Sequence, residues 1–180
     1  MTEVAHRYAR IAEGFSTRLD ALDADALDLP TPCSEWSVAE LCDHVITTTW
    51  RVATMGGITD GDQADQRLPD RYRAASTAII DALADPTIAS TPVSSGFGEQ
   101  PFESLIGRLL CADTLIHTWD LARAAGLDER LDVEAAEAAL LALEPADEAI
   151  RRPGGFAPKL EAPEGADPQT LLLAFCGRSV

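Results

Sequence analysis

Apolar side chains recur at steps of three and four from the start of the chain: Val4, Tyr8, Ile11, Phe15, Leu19 and Leu22. That spacing follows the 3.6-residue period of a helix with one buried face, and a half-buried strand would alternate every two residues instead. It predicts a first helix over residues 3–22. Pro30 and Pro32 then break the period, so the stretch before Ser37 reads as an ordered loop. Ser37-Val38-Ala39-Glu40 has the form of a capping box and predicts a second helix from Ser37 to about Ala53. Its inward stripe includes Leu41, His44 or Val45, and Thr48, while the run Thr47-Thr48-Thr49 is poor for a helix and is expected to end it early.

A third helix is expected over 69–84 through Tyr72, Ala75, Ile79, Ile80 and Leu83. Residues 85–101 hold Pro86, Pro92, Gly96 and Gly98 and read as a long middle loop, with a lid or short hairpin equally compatible. The fourth helix, 102–125, carries Leu105, Leu109, Ala112 and Ile116 on one strip and meets a helix stop at Gly126. A fifth, 133–150, is alanine-rich and contains Pro145, and a short terminal helix starts near Pro168. The reading is all-α: a four-helix bundle with additional terminal helices, as one domain over 1–180.

Length and charge narrow the function. A chain of 180 residues supports one real core, and two would be cramped. The formal charge of −16 repels phosphate backbones and anionic headgroups, so nucleic-acid and membrane-surface roles are excluded. Arg151-Arg152, the one adjacent basic pair, is too short to make a patch. The opening MTEVAHRYAR lacks the layout of a signal peptide, and no apolar run is long enough to span a bilayer. The expectation is a cytoplasmic monomer or homodimer. Cys33, Cys42, Cys111 and Cys176 are scattered without a C-x-x-C, and read as reduced thiols with no nucleophile among them.

The chemistry concentrates on histidine, of which the chain has three. His6 sits among polar neighbours and reads as a surface residue. His117 lies four residues after Asp113 in the fourth helix, so the two side chains share a face one turn apart and can grip one ion. Asp120, three residues on, can ligate or orient the site, and Trp119 can line the pocket or orient the ligands. A third ligand must come from another helix, and His44 is the remaining histidine in a helical context. Two nitrogens and one carboxylate suit zinc first, and nickel, iron or manganese as well. Cys42 and Cys111 each stand two residues before a candidate ligand, about 200° around the helix, and should point away.

These residues together resemble the DinB-like metal-binding superfamily, in particular the mycothiol-dependent maleylpyruvate isomerase-like family of actinobacteria. The matching pieces are Thr31-Pro32-Cys33-Ser34-Glu35-Trp36-Ser37-Val38, Asp43-His44-Val45, and Asp113-x-x-x-His117-x-Trp119-Asp120-Leu121-Ala122-Arg123-Ala124-x-Gly126. The ending Asp167-Pro168-Gln169-x-x-Leu172-Leu173-Ala174-Phe175-x-Gly177-Arg178 looks like that of a short-chain subgroup. The resemblance implies a four-helix bundle and a metal triad falling on His44, Asp113 and His117. The isomerase itself has glutamate where this chain has Asp113, and carries a further C-terminal domain, so the site is implied more firmly than the reaction. The expected function is a metal-dependent transferase or isomerase that uses a small thiol such as mycothiol, taken by the metal as thiolate, against an electrophilic substrate. The alternative is a non-catalytic metal- or small-molecule-binding protein of the same fold.

Overall fold

Helix ends are set by side-chain caps. In the computed structural model, which describes residues 1–33, 36–96, 98–151 and 155–180, Thr2 accepts from the Ala5 amide and opens α1 (Glu3–Asp20). The expected capping box is present. Ser37 Oγ accepts from the Glu40 amide at 3.3 Å while Glu40 accepts from the Ser37 amide at 2.8 Å, starting α2 (Val38–Met55). α3 (Leu68–Ala84) begins with Pro69 in its first turn. Ser34, Glu35 and Arg152, which figure in the motifs above, lie outside the described residues.

The threonine run does not shorten α2. Thr49 Oγ1 donates to the Val45 carbonyl at 2.7 Å, so the hydroxyl is satisfied inside the helix. The middle segment resolves into one turn of helix, α4 (Pro86–Ala89), and a two-stranded antiparallel hairpin. In that hairpin β1 (Pro92–Ser95) pairs with β2 (Gly98–Pro101), Val93 opposite Gln100. The fourth helix runs as expected from Phe102 to Ala125 but in three pieces: α5 (Phe102–Leu105), a π-helical stretch (Ile106–Leu110) and α6 (Cys111–Ala125). Gly107 sits in that stretch against α1, where an added Cβ would lie 3.3 Å from Val4. Gly126 ends α6 with φ of 68°, the left-handed cap that favours glycine.

The fifth helix is shorter than expected. α7 (Val133–Leu143) gives way to a 3₁₀ turn over Glu144–Ala146, because Pro145 has no amide to continue the ladder, and one further turn, α8 (Asp147–Ile150), follows. α9 (Pro168–Phe175) closes the order with Asp167 as its cap.

α1 packs on α3 and α6, and α2 packs on the same two, which makes a ring of four helices. α7 lies outside that ring against α6 and α9. Tyr8, Phe15, Leu41, Val45, Tyr72, Ile79, Leu105 and Ile116 fill the centre and are fully buried. Phe15 and Tyr72 meet edge-on at 4.7 Å and join α1 to α3. The α2–α6 contact is the one that matters for chemistry, because His44 and Asp113 stand on those helices. No helix among the described residues is long and apolar enough to cross a membrane.

Ser37→Ala removes one half of the capping box. We expect a loss of about 1 kcal/mol in urea denaturation, with an unchanged helical circular-dichroism spectrum.

Candidate metal centre

His44 sits two turns into α2, and its Nε2 lies 3.4 Å from Asp113 Oδ1 on α6. His117, one turn further along α6, brings its own Nε2 to 3.8 Å from the same oxygen. The three side chains expected to act together are therefore together, and one donor atom from each falls within a 4.8 Å cluster. Asp113 Oδ2 is buried and, among the described residues, has no hydrogen-bond partner. A carboxylate oxygen left bare in a protein interior is costly unless something positive meets it.

The other side of His117 is fully engaged. Its Nδ1 lies 3.0 Å from Asp120 Oδ2, and Asp120 has no exposed surface. Arg178, beyond α9, holds that carboxylate with a fork: Nε donates to Oδ1 at 3.1 Å and Nη2 to Oδ2 at 2.8 Å. Its Nη1 donates to the Cys176 carbonyl at 2.9 Å. Gly177 aims Arg178 inward from a φ of 77°, in a space so tight that a Cβ would stand 2.7 Å from both Ala157 Cβ and the Pro158 carbonyl. Donation from Nδ1 to a fixed carboxylate leaves Nε2 as the nitrogen that faces Asp113, and its lone pair is available once His117 is neutral.

A second set of donors meets at His117: Cys33, Asp120 and His117 itself. Arg178 Nη2 is 2.8 Å from Cys33 Sγ as well as from Asp120. That set already surrounds a guanidinium, and its electrostatic need is met. The His44 set has none, so it is the better seat for a cation.

Neighbouring charges shift the titrating groups in opposite directions. Burial opposes charging His117, yet donation to Asp120, with Cys33 and Asp113 close by, lifts it to about 10. Burial would raise Asp120, and His117 and Arg178 outweigh it, bringing it down to about 2. Asp113 is likewise lowered despite burial, by His44, His117 and the more distant Arg51.

Trp36 walls the site. Its ring lies 4.4 Å from that of His44 and 5.7 Å from that of His117. The loop that carries it is tied back at both ends, with Thr31 Oγ1 donating to the Trp36 carbonyl at 2.9 Å and the Trp36 amide to Cys33 at 2.8 Å. Trp119, expected to line the pocket, is instead buried with Arg123 packed over its ring at 4.8 Å. Two residues past His117 the helix has turned about 200°, which carries it off the site. His6 is exposed on α1, as expected. Cys42 and Cys111 are buried core thiols, raised by burial to about 12 and about 11. Cys33 and Arg178 were not among the expected site residues. A loop thiol before a helix and an arginine near position 180 carry no spacing that relates them to residue 117.

The family model described as mycothiol maleylpyruvate isomerase N-terminal domain matches residues 8–122, which span Cys33, His44, Asp113, His117 and Asp120. The chain belongs to that family. Its all-α architecture agrees with the DinB-like fold. Two Mycobacterium tuberculosis proteins, uncharacterized protein Rv0738 of strain ATCC 25618 / H37Rv and uncharacterized protein MT0763 of strain CDC 1551 / Oshkosh, are each 34% identical to it over 183 residues. The alignments cover 98% of this chain and 97% of each relative. No solved structure matches significantly. Arg178 lies outside the stretch matched by the family model.

Arg178→Met strands the Asp120 carboxylate without its guanidinium. We expect a loss of about 3–5 kcal/mol by urea denaturation. Asp120→Asn in the same chain should recover part of it, since the uncompensated charge is then gone.

Proposed function

We propose that this chain is a metal-dependent enzyme of small-thiol chemistry, an S-transferase or thiol-assisted isomerase, with the cation held by His44, Asp113 and His117. The observation that carries the reading is the buried Asp113 Oδ2, without a hydrogen-bond partner among the described residues, on a carboxylate whose other oxygen faces two imidazole Nε2 atoms. Two nitrogens and one carboxylate make a three-donor set of the kind that catalytic zinc uses, with a position to spare; nickel, iron and manganese also accept it. Family membership supports mycothiol as the thiol. When bound, a divalent cation there supplies the charge that takes a thiol to thiolate at neutral pH.

The protein's own residues do the rest. Asp120 accepts from His117 Nδ1 and orients Nε2, which gives up its proton when a cation binds, and Arg178 keeps Asp120 ionised and immobile. Trp36 covers both imidazoles and excludes water from one side of the centre. His44 and Asp113 remain partly open, with side-chain exposures of 28% and 18%, so a ligand can approach from the α2 side. In a transfer, the thiolate sulfur forms an S–C bond as the carbon's bond to its leaving group breaks. In an isomerisation, the sulfur adds to a C=C bond whose electron pair passes to the conjugated acceptor, the resulting single bond rotates, and the pair returns as the sulfur is expelled.

Protein purified without a polyhistidine tag should carry roughly one divalent cation per chain by elemental analysis. Asp120→Asn should weaken metal affinity by about 10–100-fold as the loss of an outer partner, and His117→Ala by more. Metal-loaded protein given mycothiol and monobromobimane should form the conjugate faster than the metal-free protein. No retained cation, or equal rates across several electrophiles, would end the reading.

A further inference from the structure

Each of the four helices in the ring contributes a fully buried hydroxyl to one group: Tyr8 on α1, Thr49 on α2, Tyr72 on α3 and Thr114 on α6. Tyr72 interacts with both Tyr8 and Thr114, and Tyr8 with Thr49, so the four belong to a single polar cluster inside the core. Thr49 Oγ1 has placed its proton on the Val45 carbonyl and keeps its lone pairs. The other three are unspent. Among the described residues, Tyr8 Oη, Tyr72 Oη and Thr114 Oγ1 have no hydrogen-bond partner at bonding distance and angle.

A buried hydroxyl without a bond is costly, and three in one place call for a common partner. Neither phenol escapes by ionising. Burial pushes both well above the usual tyrosine range, so each keeps its proton as a donor at neutral pH. The hydroxyls supply no charge to hold an ion. Phe15 presses edge-on against the Tyr72 ring at 4.7 Å, which leaves little room for an organic group. A small neutral molecule with donors and acceptors is what the cluster suits. Water can accept from two of the hydroxyls and donate to two of the oxygens, and internal waters typically make about three such bonds. Asp113 precedes Thr114 in α6, yet successive side chains diverge by about 100°, so this cluster is separate from the His44, Asp113 and His117 set.

We infer that Tyr8, Tyr72 and Thr114 form a binding site for an ordered internal water, which bridges α1, α3 and α6 and has Thr49 as a further acceptor. The water joins these helices at one point, next in sequence to the carboxylate that faces His44. The site stands independently of the thiol reading.

Oxygen-17 magnetic relaxation dispersion, which counts long-lived internal waters, tests this. The unaltered protein should hold about one more such water per chain than Tyr8→Phe/Tyr72→Phe in the same metal state. Phenylalanine keeps both rings and removes only the oxygens, so the variant should retain its helical circular-dichroism spectrum. Thr114→Val, close to threonine in shape, is the second variant should the first not fold, and it too should lose the water. An equal count in the unaltered protein and a folded variant overturns the site. A crystal structure with the Tyr8 and Tyr72 oxygens bonded directly to each other, and no density between them and Thr114, overturns it as well.

Discussion

Everything at the centre depends on one buried chain of charge: imidazole, carboxylate, guanidinium. His117 donates to Asp120 and Arg178 clamps Asp120 from behind. An isolated carboxylate with no exposed surface would be strongly disfavoured, and the guanidinium fork offsets that cost because it matches the carboxylate geometry at two points. The consequence reaches the far nitrogen of His117. With Nδ1 committed, Nε2 is the nitrogen left to face Asp113 and His44, and an i,i+4 pair on a helix gains a fixed direction.

The bundle supplies the rest through close approach. α2 and α6 must lie near enough for His44 and Asp113 to touch, and both helices are locked against the same neighbours, α1 and α3 flanking them in the ring. The π-helical stretch before α6 adds a residue to the turn just ahead of Asp113, and Gly107 within it lets α1 come close. Such insertions re-aim the side chains that follow them and are common next to functional sites. Here one falls three residues before the first expected ligand on that helix.

Much of this was legible in the sequence, and for a definite reason. Helical period, the Ser37–Glu40 box and the Gly126 stop are local signals, and each appears in the structure where the residues place it. The His44, Asp113 and His117 set was legible because two of the three are local to each other and the third was the one histidine left in a helix. Three features were not. The π stretch has no composition that sets it apart from α-helix. Trp119 shares a motif with His117, yet helix geometry turns it away into contact with Arg123. Cys33 and Arg178 reach the site only through tertiary folding, from a loop and from beyond α9, and no spacing encodes a contact made across 145 residues.

The left-handed turn at Gly177 has a bearing on which changes the centre tolerates. It leaves no room for a side chain, since a Cβ there would stand 2.7 Å from both Ala157 Cβ and the Pro158 carbonyl. A larger residue would have to displace that backbone or carry Arg178 away from Asp120, 58 positions earlier in the sequence. The orientation of His117 therefore rests on a glycine far along the chain from it.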